Sequence, residues 1–214
     1  MNQDNTDIEL AGLIQKNRKN LEHDFNNNFD IQTKTLSIIA GGLEHANFNN
    51  FDKASLVWNI AGYLNLISYD LKIIGRDLMF AQDGFQRRHY ARQMYLLIYE
   101  SMDDFFQLMG NPLKTAVREF GDAETHLNAV KSIATQLSKF KKEYGSKIKV
   151  VRHTAIAHRD KDFLSQRETI NSIDWGDAIE ILGKYDAIVR SLGQVLQQLM
   201  DRTTDELHEK QKPQ

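Results

Sequence analysis

Between Val150 and Asp162 the chain reads VVRHTAIAHRDKD, which gathers Arg152, His153, His158, Arg159, Asp160 and Lys161 into one short run. Histidine titrates near neutrality, so it can take or give a proton. Arginine keeps its charge, can grip two phosphate oxygens at once, and can stabilise charge as it develops on them. These groups suit phosphodiester cleavage in RNA without a metal. A base removes the proton of the ribose 2′-hydroxyl, an acid protonates the leaving 5′-oxygen, and a cation steadies the five-coordinate phosphorus. The substrate is then RNA, because the 2′-hydroxyl is the nucleophile. Lys149 and Arg159, with Lys147 and Lys161 beside them, would track the phosphate backbone.

The charge around this run is lopsided. Net charge over the 214 residues is −2, yet Lys131 to Lys161 holds nine Lys/Arg against Glu143 and Asp160, a local +7. Such asymmetry points to an anionic partner at one face. The plainer reading of any one charge run is a solvated helix surface.

On a straight helix at 100° per residue, Val151, Ala155 and His158 share a face, and the small Ala155 leaves room for a groove beside His158. Arg152 then lies about 120° from His158 and roughly 9 Å along the axis. The two do not converge on one straight helix, so Arg152 either reaches round to the cleft or meets the histidine of a second copy across a dimer. His153 and His158 lie about 140° apart, which disfavours a metal pair. A lone histidine beside alanines also has a plainer reading, as a packed structural side chain. Arg152 and Asp160 could likewise form no more than a surface pair.

The elements that must carry this run are helical. Apolar residues at 3,4 spacing mark four long helices: Val57 to Leu78, Ala91 to Met109, Leu127 to Tyr144, and Ala178 to Leu199. Asp83-Gly84 signals a turn. Gly110-Asn111-Pro112 stops one helix and opens a short one reaching Phe120. Gly145 reads either as the end of the third long helix or as a kink within it. The polar stretch from Asp160 to Asn171 reads as a short turn and a loop, and Asp174 as the N-cap of the last helix. At the amino end, residues 4–26 read as a helix ended by Asn26-Asn27-Asn28, and residues 30–50, with Gly41-Gly42, as an irregular segment. The tail 202–214 is expected to fray. The fold class is therefore all-α: an up-and-down bundle of four long helices with extra short helices, in a single domain over residues 1–214.

The run also resembles a known family. Arg152-His153-x4-His158 is similar to the Arg-x(4–6)-His motif of HEPN domains, in which a polar residue directly follows the arginine. The wider IAHRDKD resembles the abortive-infection and toxin–antitoxin branch of that superfamily. The resemblance implies a helical bundle, a homodimer whose two motifs meet, and metal-independent RNA cleavage in defence. It implies that Arg152 binds phosphate, that His158 is the acid or base, and that His153 orients the site or shares the proton work. An antitoxin protein would be a further partner. In the family His153 stands where asparagine is commoner.

Other candidates are weaker. Glu100, Asp103 and Asp104 cluster on one helix, but a bundle metal site needs Glu-x-x-His pairs and none occurs. A solvated face is the expected reading, with pairing to basic residues as the minor one. The run from Gln86 to Arg92 is basic and reads as an exposed helix start. There is no phosphate-binding glycine loop and no nucleophile elbow. No cysteine is present, which fits a reducing compartment and removes thiolate metal sites. No apolar stretch reaches membrane length. The expected protein is a cytoplasmic, cofactor-free endoribonuclease acting as a homodimer on RNA. The alternative is a non-catalytic helical module that binds RNA or a partner protein.

Overall fold

The two tryptophans fix the frame. The Trp58 indole donates from Nε1 to Thr203 Oγ1 at 3.0 Å, and the Trp175 indole to the Leu78 carbonyl at 3.0 Å. The first joins the start of α2 (Asp52–Phe80) to the late part of α7 (Trp175–Lys210), and the second joins the end of α2 to the start of α7. The two helices therefore run antiparallel, pinned at both ends. A computed structural model describes residues 3–120, 122–157 and 161–210. In it α3 (Gly84–Leu108) and α5 (Ala123–Arg152) complete a ring in the order α2, α3, α5, α7, each antiparallel to its neighbours. That is the up-and-down bundle read from the 3,4 spacing.

The ring closes because each helix buries one stripe. Tyr95, Ile98, Met102 and Phe105 of α3 are buried, as are Val130, Ile133, Leu137 and Phe140 of α5 and Ala178, Ile181, Tyr185 and Leu192 of α7. At mid-height the Phe105 and Tyr185 rings stack with centroids 6.1 Å apart, and Phe140 leans on Tyr185 at 5.2 Å. Ser101 Oγ and Tyr185 Oη share a 2.7 Å hydrogen bond in the same layer. Asp83 caps α3 by accepting from the amides of Phe85 and Gln86, and Asp174 caps α7 by accepting from Asp177. The short α4 (Asn111–Arg118) carries Pro112 in its first turn, and α6 (Phe163–Asn171) is capped by Asp162.

Four expectations need correction, the first being that the stretch read as a turn and loop from Asp160 to Asn171 contains the helix α6 from Phe163, which Asp162 caps. The amino-terminal segment is one continuous helix, α1 (Gln3–Phe48), lying outside the ring along α2. Asn26 to Asn28 do not end it. The Asn28 side-chain amide donates back to the Asp24 carbonyl at 2.7 Å, while Phe25 packs on Phe80 and Phe29 on Tyr69. Tertiary packing outweighs the modest helix cost of asparagine. Gly41-Gly42 does not break it either. A Cβ on Gly42 would stand 2.4 Å from the Trp58 ring, so this glycine lets the two helices approach. The real stop is Asn50, which takes a positive φ of 56° and reverses the chain.

Gly145 neither ends nor divides α5, which continues to Arg152 because Ile148 and Val151 extend the buried stripe beyond it. The tail is held further than expected: α7 is helical to Lys210, Thr203 is buried under Trp58, and Arg202 pairs with Asp122 at 2.9 Å. Residues 211–214 lie outside the described residues. Among the described residues no helix is long and apolar enough to cross a membrane.

Candidate functional site

The run singled out above begins on the last turn of α5. Lys149 and Val150 are exposed, Val151 is buried, and Arg152 closes the helix. From His153 to Ala157 the backbone winds as a π turn. Such a turn bonds i to i+5 and takes in an extra residue, and turns of this kind often sit at functional sites. The angles expected for a straight helix past Arg152 therefore do not apply. Ala155 is buried beside Val151, so it packs into the bundle and does not floor an open groove. His158, Arg159 and Asp160 lie outside the described residues.

Arg152 is held by α3. Its Nε and Nη2 both donate to Glu100 Oε1, at 3.1 and 2.8 Å. Its guanidinium carbon stands 4.9 Å from the Tyr99 ring centroid, a cation–π contact. The Arg152 side chain is only 18% exposed, so ring and carboxylate restrict where the cation can point. Because both donations go to one oxygen, the two-oxygen fork typical of strong arginine–carboxylate pairs is not used. Nη1 makes no hydrogen bond among the described residues, which leaves it for a further acceptor.

His153 is exposed and meets the edge of the same Tyr99 ring, with centroids 6.1 Å apart and planes perpendicular. Tyr99 thus stands between the two motif side chains and fixes their spacing. Sequence reasoning did not find Tyr99, which lies just off the α3 seam of Tyr95, Ile98 and Met102 and carries no motif. Glu100 was in view only as part of the acidic cluster. That cluster is not a solvated face throughout: Glu100 pairs with Arg152, and Asp103 with Lys141 at 2.6 Å. The minor reading was the correct one for these two acids.

The same pairs revise the charge picture. Lys141, Lys147 and Arg152 all point at acids on α3 or α7, Lys147 reaching Asp177 at 2.6 Å. One turn earlier Lys184 of α7 bonds Tyr144, Glu143 and Glu180. The Tyr144 hydrogen bond, and then Lys184, hold the Glu143 carboxyl below the usual carboxylate range. These contacts clamp α5 to its neighbours and neutralise part of the local +7. What remains is ordered. Lys131, Lys139, Lys142 and Lys149 are exposed and fall within roughly 80° of one another around α5, a stripe of about 27 Å along its outer face. Lys149, the last lysine of that stripe, precedes Arg152 by three residues.

These observations have a counterpart among known proteins. Residues 113–212, a little under half the chain, match the family model HEPN_AbiU2, described as AbiU2. The match runs from α4 to the end of α7 and includes all of α5 and the π turn. No curated protein and no solved structure matches the chain.

Proposed function

We propose, from the match of residues 113–212 to the abortive-infection HEPN model, that this segment is a HEPN domain and that the chain is a metal-independent endoribonuclease. Arg152 binds the scissile phosphate and steadies the charge on phosphorus. His153 and His158 carry protons, one taking the 2′-hydroxyl proton and the other supplying one to the leaving 5′-oxygen. The O2′–P bond forms as the P–O5′ bond breaks, giving a 2′,3′-cyclic phosphate and a free 5′-hydroxyl. The lysine stripe of α5, with Lys149 nearest the motif, and Arg159 lay the RNA backbone across the site. Two copies complete the centre, each contributing one motif, and an antitoxin protein would restrain it.

The observation that carries this reading is the seating of Arg152. An arginine clamped by an aromatic face and one carboxylate oxygen, beside an exposed histidine and just past the last lysine of a cationic stripe, supports phosphate binding there. The rest of the chain supports the same unit. The amino-terminal helices outside the family match supply Tyr99 and Glu100, so we propose that all 214 residues act as one domain in the cytoplasm.

The test is incubation of the purified chain with mixed RNA in EDTA, beside Arg152→Ala and His158→Ala. The expected result is cleavage with 2′,3′-cyclic phosphate ends, reduced about a hundredfold or more in each variant. Intact RNA with the wild-type dimer, or wild-type cleavage by Arg152→Ala, overturns the proposal. RNA that binds the wild type but stays whole would instead support the non-catalytic module, for which the lysine stripe is the favouring observation.

A further inference from the structure

A pocket of about 600 Å³ opens between α1, α2 and α3, away from Arg152. Its walls are apolar: Leu36, Ile39 and Leu43 from α1, Leu66 from α2 and Leu108 from α3. Leu66 is 53% exposed, a large apolar side chain left without cover by the fold itself. The volume lies within the range of small-molecule sites, which pair apolar walls with a few placed polar groups.

The polar group here is a carboxylate. Asp104 of α3 and Tyr63 of α2 both line the pocket, and the Tyr63 hydroxyl donates to Asp104 Oδ2. Burial first, then the hydrogen bond and the charge of Asp104, push the Tyr63 phenol up to about 12. The proton therefore stays on the phenol, which keeps donating it to Asp104. Asp104 differs from the two other acids of its cluster. Glu100 has Arg152 and Asp103 has Lys141, but among the described residues no cation reaches Asp104. A half-buried carboxylate without a counter-charge is costly, and Oδ1 is left with no hydrogen-bond donor among the described residues.

We propose that this pocket binds an amphipathic organic cation, with its apolar body against the leucines and a protonated amine on Asp104. The missing counter-charge selects the amine, and the Tyr63 hydroxyl holds the carboxylate in place to receive it. The site is independent of RNA cleavage, since its readout is binding.

Calorimetric titration of the full chain with 4-phenylbutylamine, and with 4-phenylbutan-1-ol as the neutral counterpart, tests it. The amine is expected to saturate at millimolar concentration and to bind about tenfold or more tightly than the alcohol, the scale of a charge-assisted hydrogen bond. Asp104→Asn should bring the two within about twofold. Ala40→Phe, at an exposed position on the pocket rim, should block the amine while leaving Asp104 in place. Equal affinity for amine and alcohol, no amine binding, or an amine affinity unchanged in Ala40→Phe overturns the proposal. The rim variant keeps the test decisive if Asp104→Asn does not fold.

Discussion

Glu100 and Ser101 are consecutive on α3, and they serve two different regions. Ser101 faces inward, bonded to Tyr185 in the layer where Phe105, Phe140 and Tyr185 join three helices. Glu100 faces α5 and holds Arg152 where the helix gives way to the π turn. The inner layer is apolar, and its Ser101 and Tyr185 hydroxyls satisfy each other. At the junction the groups are charged, half exposed, and only partly committed to one another. The difference teaches where each kind of energy sits. Packing holds the layer together, whereas the junction contributes little to stability and, among the described residues, leaves one arginine nitrogen without a hydrogen bond.

The largest effect should come from breaking the layer. Phe105→Ala removes a ring stacked on Tyr185 and buried to 1% exposure, and should cost about 3–5 kcal/mol in a urea titration. Under the proposed ribonuclease reading, cleavage per folded molecule should stay near wild type, since among the described residues the ring's aromatic partners are Tyr63 and Tyr185. A cost near zero would show that the layer does not hold the bundle as described.

At the junction the expected effect is smaller and of another kind. Glu100→Gln keeps an acceptor for Arg152 but, under the proposed ribonuclease reading, removes a charge that would compete with phosphate. The KM for RNA should fall about two- to fivefold, equivalent to the ~0.5–1 kcal/mol of a half-exposed ion pair. The urea midpoint should hardly move. If kcat instead falls while KM is constant, Glu100 orients the arginine in the transition state and does not merely compete for it.

The same contrast explains what was legible in the sequence. The four stripes were readable because each helix repeats the same burial every three or four residues, and Tyr95, Phe105 and Tyr185 all sit where that period puts them. The motif was readable as residue types. Its partners were not, because Tyr99 and Glu100 belong to another helix and their pairing depends on how α3 and α5 meet. The π turn also escaped, since nothing in HTAIA departs from ordinary helical composition. Asn26 to Asn28 and Gly41-Gly42 misled for a related reason. Local breaker signals were judged without the α2 surface that overrides them, and Gly42 is needed by a tryptophan 16 residues downstream.

A last test sharpens the layer itself, through two buried tyrosines. Tyr185 shares its hydroxyl with Ser101, whereas the Tyr95 hydroxyl is buried with no hydrogen-bond partner among the described residues. Tyr185→Phe should cost about 1 kcal/mol, and Tyr95→Phe should be neutral or stabilising by a similar amount, because it removes a polar atom left unsatisfied. Burial raises both phenols above their ordinary value, helped at Tyr95 by Asp177 and Asp174 and opposed at Tyr185 by the Ser101 bond. Tyr63 is raised to about 12, chiefly by burial and then by Asp104. A raised folded-state value means that the native state keeps protons the unfolded chain gives up. This contribution is complete below about pH 10, where free tyrosine titrates, and is lost as pH climbs through the folded values. Stability should therefore be flat with respect to these groups up to about pH 10 and fall above it. Replacing either of the deeply buried tyrosines, Tyr95 or Tyr185, by phenylalanine should remove up to ~1.4 kcal/mol per pH unit from that alkaline slope. Should Tyr95→Phe destabilise as much as Tyr185→Phe at neutral pH, the Tyr95 hydroxyl has a partner after all, and the two tyrosines belong to one connected network.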